Sequence, residues 1–407
     1  MYSMEQKKKN SNRLSSYIKL NAESDLSLHL AIVALCLYGI IMIGSASMGT
    51  AVGNSMALAL SIAKQFIFVC IGYVFMAKLS NFFSLKQLKG NGFSYVVIWT
   101  MVMMIACLAF PAVKGAKAWL RIPLPGFEIT IQPAEFAKII VILLVALHLG
   151  DRKYKEEETC MDILKKPLVL CGTVFGITVI LQKDFGTMAI QFLLFCIVVL
   201  IPKNPKLKKF QNVLRICFYS VVAISCLILN PYGEKIISRL PLKTYQKNRF
   251  YAAIDPFKDV YGTGYQVIAG LIAMSEGGLK GKGIGNSTRK YMNFPEANND
   301  FILAIIIEEC GFIGFLFLLA LYGFIIYRLF YYARRIKSES ARIILVGTAM
   351  YFFLHIFLNV GGITGLIPLT GVPLPLVSAG GSSAMSFMAS IGICQAIIGA
   401  YKRKEIQ

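Results

Sequence analysis

Charge is scarce in this 407-residue chain: Asp, Glu, Lys and Arg make up 15% of it, against 56% hydrophobic residues. Soluble domains carry about 25% charged residues, so the shortage excludes an ordinary water-soluble protein and equally a disordered chain. Histidine is nearly absent. The three present, His29, His148 and His355, are scattered near or within apolar runs and read as hydrogen-bonded helix histidines rather than metal ligands. The ten cysteines form no CxxC pair; nine lie within apolar runs, Cys160 in a segment expected in the cytosol, and none in the outer loops, which excludes a zinc ribbon and a disulfide scaffold. GKGIGNS (281–287) lacks the GK[ST] ending of a nucleotide-binding P-loop. No internal repeat is visible, so nothing favours an inverted-repeat transporter.

What the chain has instead is long apolar runs. A bilayer crossing needs about 20 apolar residues, and ten candidate runs appear at 28–48, 56–79, 93–111, 133–149, 167–182, 187–201, 213–229, 301–327, 343–369 and 383–401. The fifth and sixth are short and share a tight connection at 183–186. The reading is an all-α polytopic membrane protein: a basic tail (1–27), one ten-span domain (28–401) with a large loop (230–300) between helices 7 and 8, and a short tail (402–407).

The net charge is +21, from 42 basic and 21 acidic residues. With the N-terminus inside, inner segments carry 26 bases and short outer segments four, with ten more in the long loop and two within spans. This asymmetry predicts cytosolic termini and an outward 230–300 loop. Most of the charge is thus a topology signal with attraction to anionic inner-leaflet lipid, and nucleic acid has little to explain.

Ionisable groups at membrane depth are functional candidates. Here they are Lys64, Glu135, Lys138, Glu308 and Glu309, with Asp184 at a span edge. Glu135 and Lys138 are i,i+3 in QPAEFAK and share one helix face. They read either as a self-neutralising pair or as a polar floor under an outward cavity, with Lys138 open to a phosphate. Asp184, in LQKDFGT, reads on its own as a capping aspartate. Eight glycines between 262 and 285, interleaved with Tyr265, Gln266 and Tyr291, point to backbone that can approach a ligand closely. The segment NVGGITGLIPLTGVPLPLVSAGGSS (359–383) breaks an apolar run with proline and glycine, which hydrocarbon tolerates only where protein or a water-filled cavity surrounds the backbone.

Four motifs in order resemble the SEDS family, the FtsW, RodA and SpoVE proteins of bacteria. They are AWLRI…IQPAEFAK (118–138), QKDFGT (182–187), GYQV…GGLKGKGIGNS…FPEANNDFILA (264–304) and GLIPLTGVPLPLVSAGGSS (365–383). Lys183 stands where the family usually has proline, and Ala379 where it has tyrosine; the PEA before NNDF resembles FtsW more than RodA. The resemblance covers essentially the whole chain and implies a peptidoglycan glycosyltransferase in the bacterial cytoplasmic membrane. Its substrate would be lipid II with undecaprenyl-linked glycan, for division or cell shape. Partners would be a class B penicillin-binding transpeptidase and other division or elongation proteins. It carries the catalytic role onto Asp300 and substrate contacts onto Glu135, Lys138 and Asp184, with Arg121, Gln266 and Ser382 in the same motifs. No cofactor is required; positive charge for the leaving pyrophosphate would come from Arg121, Lys138 or a divalent cation, Mg or Mn. A lipid-precursor flippase and a non-catalytic scaffold are the competing readings. On position alone, Asp300 is as well explained by capping the eighth helix as by catalysis.

The charge asymmetry carries its own test. A cysteine introduced by Ser287→Cys should react with a membrane-impermeant reagent in intact cells, and reaction only after permeabilisation would reverse the topology.

Overall fold

In a computed structural model of the chain, the described residues are 20–406 except 114, 125–126, 153, 231, 241–242 and 293. Lys7 to Lys19 of the basic tail and the loop residue Lys114 lie outside them. Every predicted run lies on a helix: α1 (Leu26–Ser47), α2 (Ser55–Phe82), α3 (Asn91–Ala106), α4 (Pro133–Leu149), α5 (Cys160–Gly176), α6 (Phe185–Val199) and α7 (Lys208–Ile228). Three shorter helices, α8 (Gly233–Arg239), α9 (Thr244–Ile254) and α10 (Tyr265–Gly277), lie in the 230–300 loop. The set ends with α11 (Ile302–Arg335), α12 (Glu339–Ile363) and α13 (Gly381–Lys402). Among the described residues eight helices are long and apolar enough to cross a membrane, α6 is a shorter apolar helix, and α4 spans 17 residues. The protein is an all-α polytopic membrane protein. A small two-stranded hairpin leads into α4, β1 (Leu120–Leu124) against β2 (Phe127–Ile131), with Leu120 opposite Ile131.

Polar side chains set where the helices begin. Asp25 caps α1 by accepting from the amides of Ser27 (3.0 Å) and Leu28 (3.2 Å). It also binds Arg328 of α11, and its own amide donates to Gln395 of α13 at 2.6 Å, tying three spans together at one end. Thr159 and Asp162 form a reciprocal capping box on α5. That cap starts the helix at Cys160, seven residues before the predicted start, and leaves Pro167 inside it. The run 343–369 likewise ends early. α12 stops at Ile363, Gly365 takes φ +73°, and irregular backbone continues to α13. α13 is almost wholly buried and packs along α2, whereas α7 is almost wholly exposed.

The largest departure from the sequence reading lies in the eighth span. From 301 the run is interrupted only by Glu308 and Glu309 and reads as one span, yet Gly311 takes φ +69° and ψ −172°, which splits α11 into an upper and a lower half. The break is filled by loop backbone. Lys282 and Gly283 donate their amides to the carbonyls of Glu308 and Glu309, both at 2.9 Å. In return, the amides of Phe312 (2.9 Å) and Ile313 (3.2 Å) donate to the carbonyls of Gly278 and Leu279. Glycine is needed on both sides. A Cβ at Gly311 would lie 2.4 Å from the Gly281 nitrogen, and one at Gly281 would lie 2.2 Å from the Glu309 oxygen.

Ser287 is 1% exposed and donates to Glu308 at 2.6 Å, so it is a poor labelling position. Tyr261, 95% exposed in the same loop, is a better one.

Gly311→Ala should lower thermal stability sharply in detergent, by about 2 kcal/mol or more, because it combines a glycine-only conformation with backbone overlap. Gly323→Ala is the control on the same helix, where an added Cβ meets nothing within 4 Å. It should be neutral or slightly stabilising. Equal melting temperatures for the two variants would contradict the break.

Candidate active site

Three sequence motifs converge on the irregular backbone at Thr370 and Gly371. From one side comes the short turn before α6. Asp184 caps that helix, its Oδ1 accepting from the Thr187 amide at 3.0 Å, and its Oδ2 accepts from Thr187 Oγ1 (2.8 Å) and Gln132 Nε2 (2.9 Å). The capping role expected of Asp184 is present, and the second oxygen joins α6 to the start of α4. Lys183 reaches this turn with φ +60°, a conformation closed to proline, so its departure from the family pattern coincides with backbone that proline could not adopt. Gly186 then meets the 370 segment, since a Cβ there would lie 3.1 Å from the Thr370 oxygen.

From the other side comes Asp300. A Cβ on Gly371, itself at φ +72°, would lie 3.4 Å from Asp300 Oδ2 and 3.6 Å from Arg249 Nη2. The carboxylate and the guanidinium therefore meet at the same face of this glycine. Arg249 belongs to α9 and was not among the sequence candidates. Asn359 of α12 fixes the backbone here by donating to the carbonyls of Asp300 and Val372, both at 2.8 Å. Its Oδ1 and the Thr370 hydroxyl are buried without a hydrogen-bond partner among the described residues. α11 opens at Ile302 with Phe301 at the cap position and no side-chain cap.

Below this group lies a closed polar chain. Lys138 Nζ is 2.6 Å from Glu135 Oε1 and 3.1 Å from His355 Nε2, and Lys138 is 1% exposed. Tyr351 donates to Glu135 Oε2 at 3.2 Å and stacks on Phe387. A lysine ammonium has donors only, so His355 Nε2 accepts and its Nδ1–H donates to the Pro373 carbonyl at 3.2 Å. The chain thus runs from α4 to the 365–380 segment, two residues from Gly371. His355, read from sequence as an ordinary helix histidine, is the link.

The other candidates stand on surrounding elements. Arg121 is on the hairpin, its Nε 3.5 Å from Glu128 Oε1, while Lys64 Nζ donates to the Glu128 carbonyl at 3.0 Å. Gln266 on α10 donates to the Pro295 carbonyl at 3.4 Å. Ser382 is buried in the first turn of α13. A separate cavity of 520 Å³ in the loop is lined by Glu234, Lys235, Tyr251, Asp255, Lys258 and Asp259. Tyr251 lies about 200° round α9 from Arg249, so this cavity belongs to the other face of that helix. Among the described residues no three His, Cys, Asp or Glu gather as a metal site.

A family model for FtsW, RodA and SpoVE, described as "Cell cycle protein", matches residues 26–403. The chain belongs to that family. It is 34% identical over 383 residues to the "Probable peptidoglycan glycosyltransferase FtsW" of Bacillus subtilis, covering 92% of this chain and 90% of that protein. It is 31% identical over 380 residues to the "Peptidoglycan glycosyltransferase MrdB" of Escherichia coli K12, covering 92% and 93%. Among solved structures, a chain of a peptidoglycan synthase complex that coordinates polymerization and crosslinking has TM-score 0.68 at 24% identity, covering 93% of this chain and 98% of that one. The rod-shape-determining protein RodA of Thermus thermophilus has TM-score 0.63 at 22% identity, covering 93% and 97%. Both structures share the fold.

The enclosed ion pair makes a stability prediction. Lys138→Met leaves Glu135 buried without its cation and should cost about 3–5 kcal/mol. The double variant Glu135→Gln/Lys138→Met should recover most of that. Thermal unfolding of the four proteins measures the coupling, and additive losses would remove the pair from the core.

Proposed function

We propose that this protein is a peptidoglycan glycosyltransferase that polymerises lipid II, and that Asp300 and Arg249 carry the transfer. The observation that carries the reading is that both meet the same face of Gly371, where an apolar span meets a glycine-rich loop. The acceptor sugar hydroxyl gives its proton to Asp300 as its oxygen attacks the anomeric carbon of the growing chain. The bond from that carbon to the lipid pyrophosphate breaks, and its electrons leave on a phosphate oxygen. Attack from the opposite face inverts the centre without a protein nucleophile, as in inverting glycosidases. Arg249 offers a planar, permanently charged partner to the departing pyrophosphate.

Lys138 is spent on Glu135 and His355, so in this reading it and Glu135 hold the floor of the site. Asp184, Gln266 and Ser382 border the substrate path, and Arg121 is a more distant base for the lipid phosphates. Mg or Mn arriving with the pyrophosphate is a further source of positive charge. The protein lies in the bacterial cytoplasmic membrane with both termini cytosolic and the 230–300 loop outside. Its partner is a class B penicillin-binding transpeptidase. Tyr261→Cys replaces Ser287→Cys as the labelling test of that orientation.

Asp300→Asn separates this reading from a flippase or a scaffold. The variant should fold and insert, yet polymerise lipid II roughly 100- to 10,000-fold more slowly, the usual range for loss of a general base. The assay is polymerisation by purified protein with its penicillin-binding partner, beside thermal unfolding. Wild-type-like polymerisation would remove Asp300 from the chemistry.

A further inference from the structure

Glu308 and Glu309 are 0% and 1% exposed, and the transfer chemistry leaves both unused. They do not touch the Gly371 cluster. Glu309 is nine residues along the upper half of α11 from Asp300, about 13 Å at helical rise. The break at Gly311 leaves that half joined to the rest of the span by one residue of non-helical backbone. Something else must hold it.

The carboxylates supply the hold. Glu309 Oε1 is 2.8 Å from Lys290 Nζ, and the Ser45 hydroxyl of α1 donates to the same carboxylate at 2.6 Å. The Ser287 amide adds a bond to Glu309 at 3.2 Å. Lys290 Nζ also donates to the Gly285 carbonyl (2.7 Å) and to Ser45 Oγ (3.1 Å). Glu308 accepts from Lys282 Nζ (2.9 Å), Ser287 Oγ (2.6 Å) and the Thr288 amide (2.8 Å). The backbone pairing described above engages 278–283, whereas most side-chain bonds reach 285–290. Between them they close the glycine-rich loop onto the half-helix from both arms. Outside, Lys282 and Arg289 hold the Glu276 carboxyl down to about 2 through direct hydrogen bonds, so that acid is ionised wherever the protein works. The scaffold end is α1. Ser45 meets Glu309, Ser47 Oγ accepts from Asn298 Nδ2 at 3.0 Å, and a Cβ on Gly49 would lie 1.8 Å from the Lys290 oxygen. Asn298 is two residues before Asp300.

We propose that Glu309, with Lys290 and Ser45, is a positioning residue for the transfer reaction: it locks the loop and the upper half of α11 into one body against α1 and so sets where Asp300 stands. The proposal rests on the glycosyltransferase reading. A role confined to stability would change the amount of folded protein and nothing else. A positioning role changes turnover per folded molecule, since a displacement of about 1 Å originating far from the chemistry costs on the order of 100-fold.

The test uses the full-length protein with its penicillin-binding partner in nanodiscs. Glu309→Gln should lower kcat for lipid II polymerisation roughly 10- to 100-fold with KM held within about threefold, and Lys290→Arg should retain most of the activity that Lys290→Met loses. Nitroxides at Tyr261→Cys and Tyr327→Cys report the loop against the lower half of α11, in a background without the exposed native cysteines. Their distance distribution should broaden in Glu309→Gln. If that variant does not fold, Ser45→Ala is the milder break, expected to lower kcat several-fold and broaden the same distribution. Unchanged kcat per folded molecule, or an unchanged distribution, in the variant that folds would overturn the proposal. An inactive wild type would instead overturn the transferase reading, and the distances would still decide whether the lock exists.

Discussion

Hydrocarbon offers no water to a bare amide or carbonyl, and every irregular feature of this protein answers to that constraint. The break at Gly311 exists because four loop residues complete its hydrogen bonds. The 365–380 segment is tolerated because Asn359 takes up the carbonyls of Asp300 and Val372 and His355 takes up that of Pro373. Non-helical backbone is what allows a carboxylate and a guanidinium to meet at one glycine. The site is a by-product of how these interruptions are paid for in hydrogen bonds.

Buried charge follows the same logic at two depths. Glu135 and Lys138 neutralise each other inside the bundle, with Tyr351 and His355 completing their bonds. Glu308 and Glu309 meet lysines arriving from the loop. In both places a pair that would be costly alone is enclosed by further donors, the condition under which buried ion pairs are tolerated. Each set of charges joins separate parts of the chain, α4 to α12 in the first and the loop to α11 in the second.

The helical framework was legible in the sequence because crossing a bilayer demands apolar length, and hydropathy reports length directly. Boundaries governed by single side chains were less visible. The Thr159–Asp162 box moved one start past Pro167, and Gly365 ended α12 before its apolar run stopped. The break at 311 was hidden because apolar residues resume after it; its only local signal is a glycine two residues after the adjacent acids Glu308 and Glu309. Of the site, Glu135, Lys138 and Asp184 were visible as ionisable groups in or beside apolar runs and Asp300 through family resemblance, and the structure gathers Asp184 and Asp300 near Gly371 with the ion pair beneath. Arg249 escaped because it lies 51 residues before Asp300 on a short loop helix, with no spacing rule to connect them. His355 escaped because its partners, Lys138 and Pro373, belong to other segments.

The pairing at Gly311 also orders events during synthesis. Residues 278–283 leave the ribosome before 308–313, but they can bond only after the eighth span is in place. Until then, a broken span would expose two carbonyls and two amides to lipid, at several kcal/mol for each unsatisfied group. The broken span and the folded-back loop therefore depend on one another, since neither satisfies its backbone without the other. The 34 residues of α11, about 51 Å of helix, exceed the roughly 30 Å hydrocarbon core. The opening of the helix and the closure of the loop are thus a single interaction, each present only with the other.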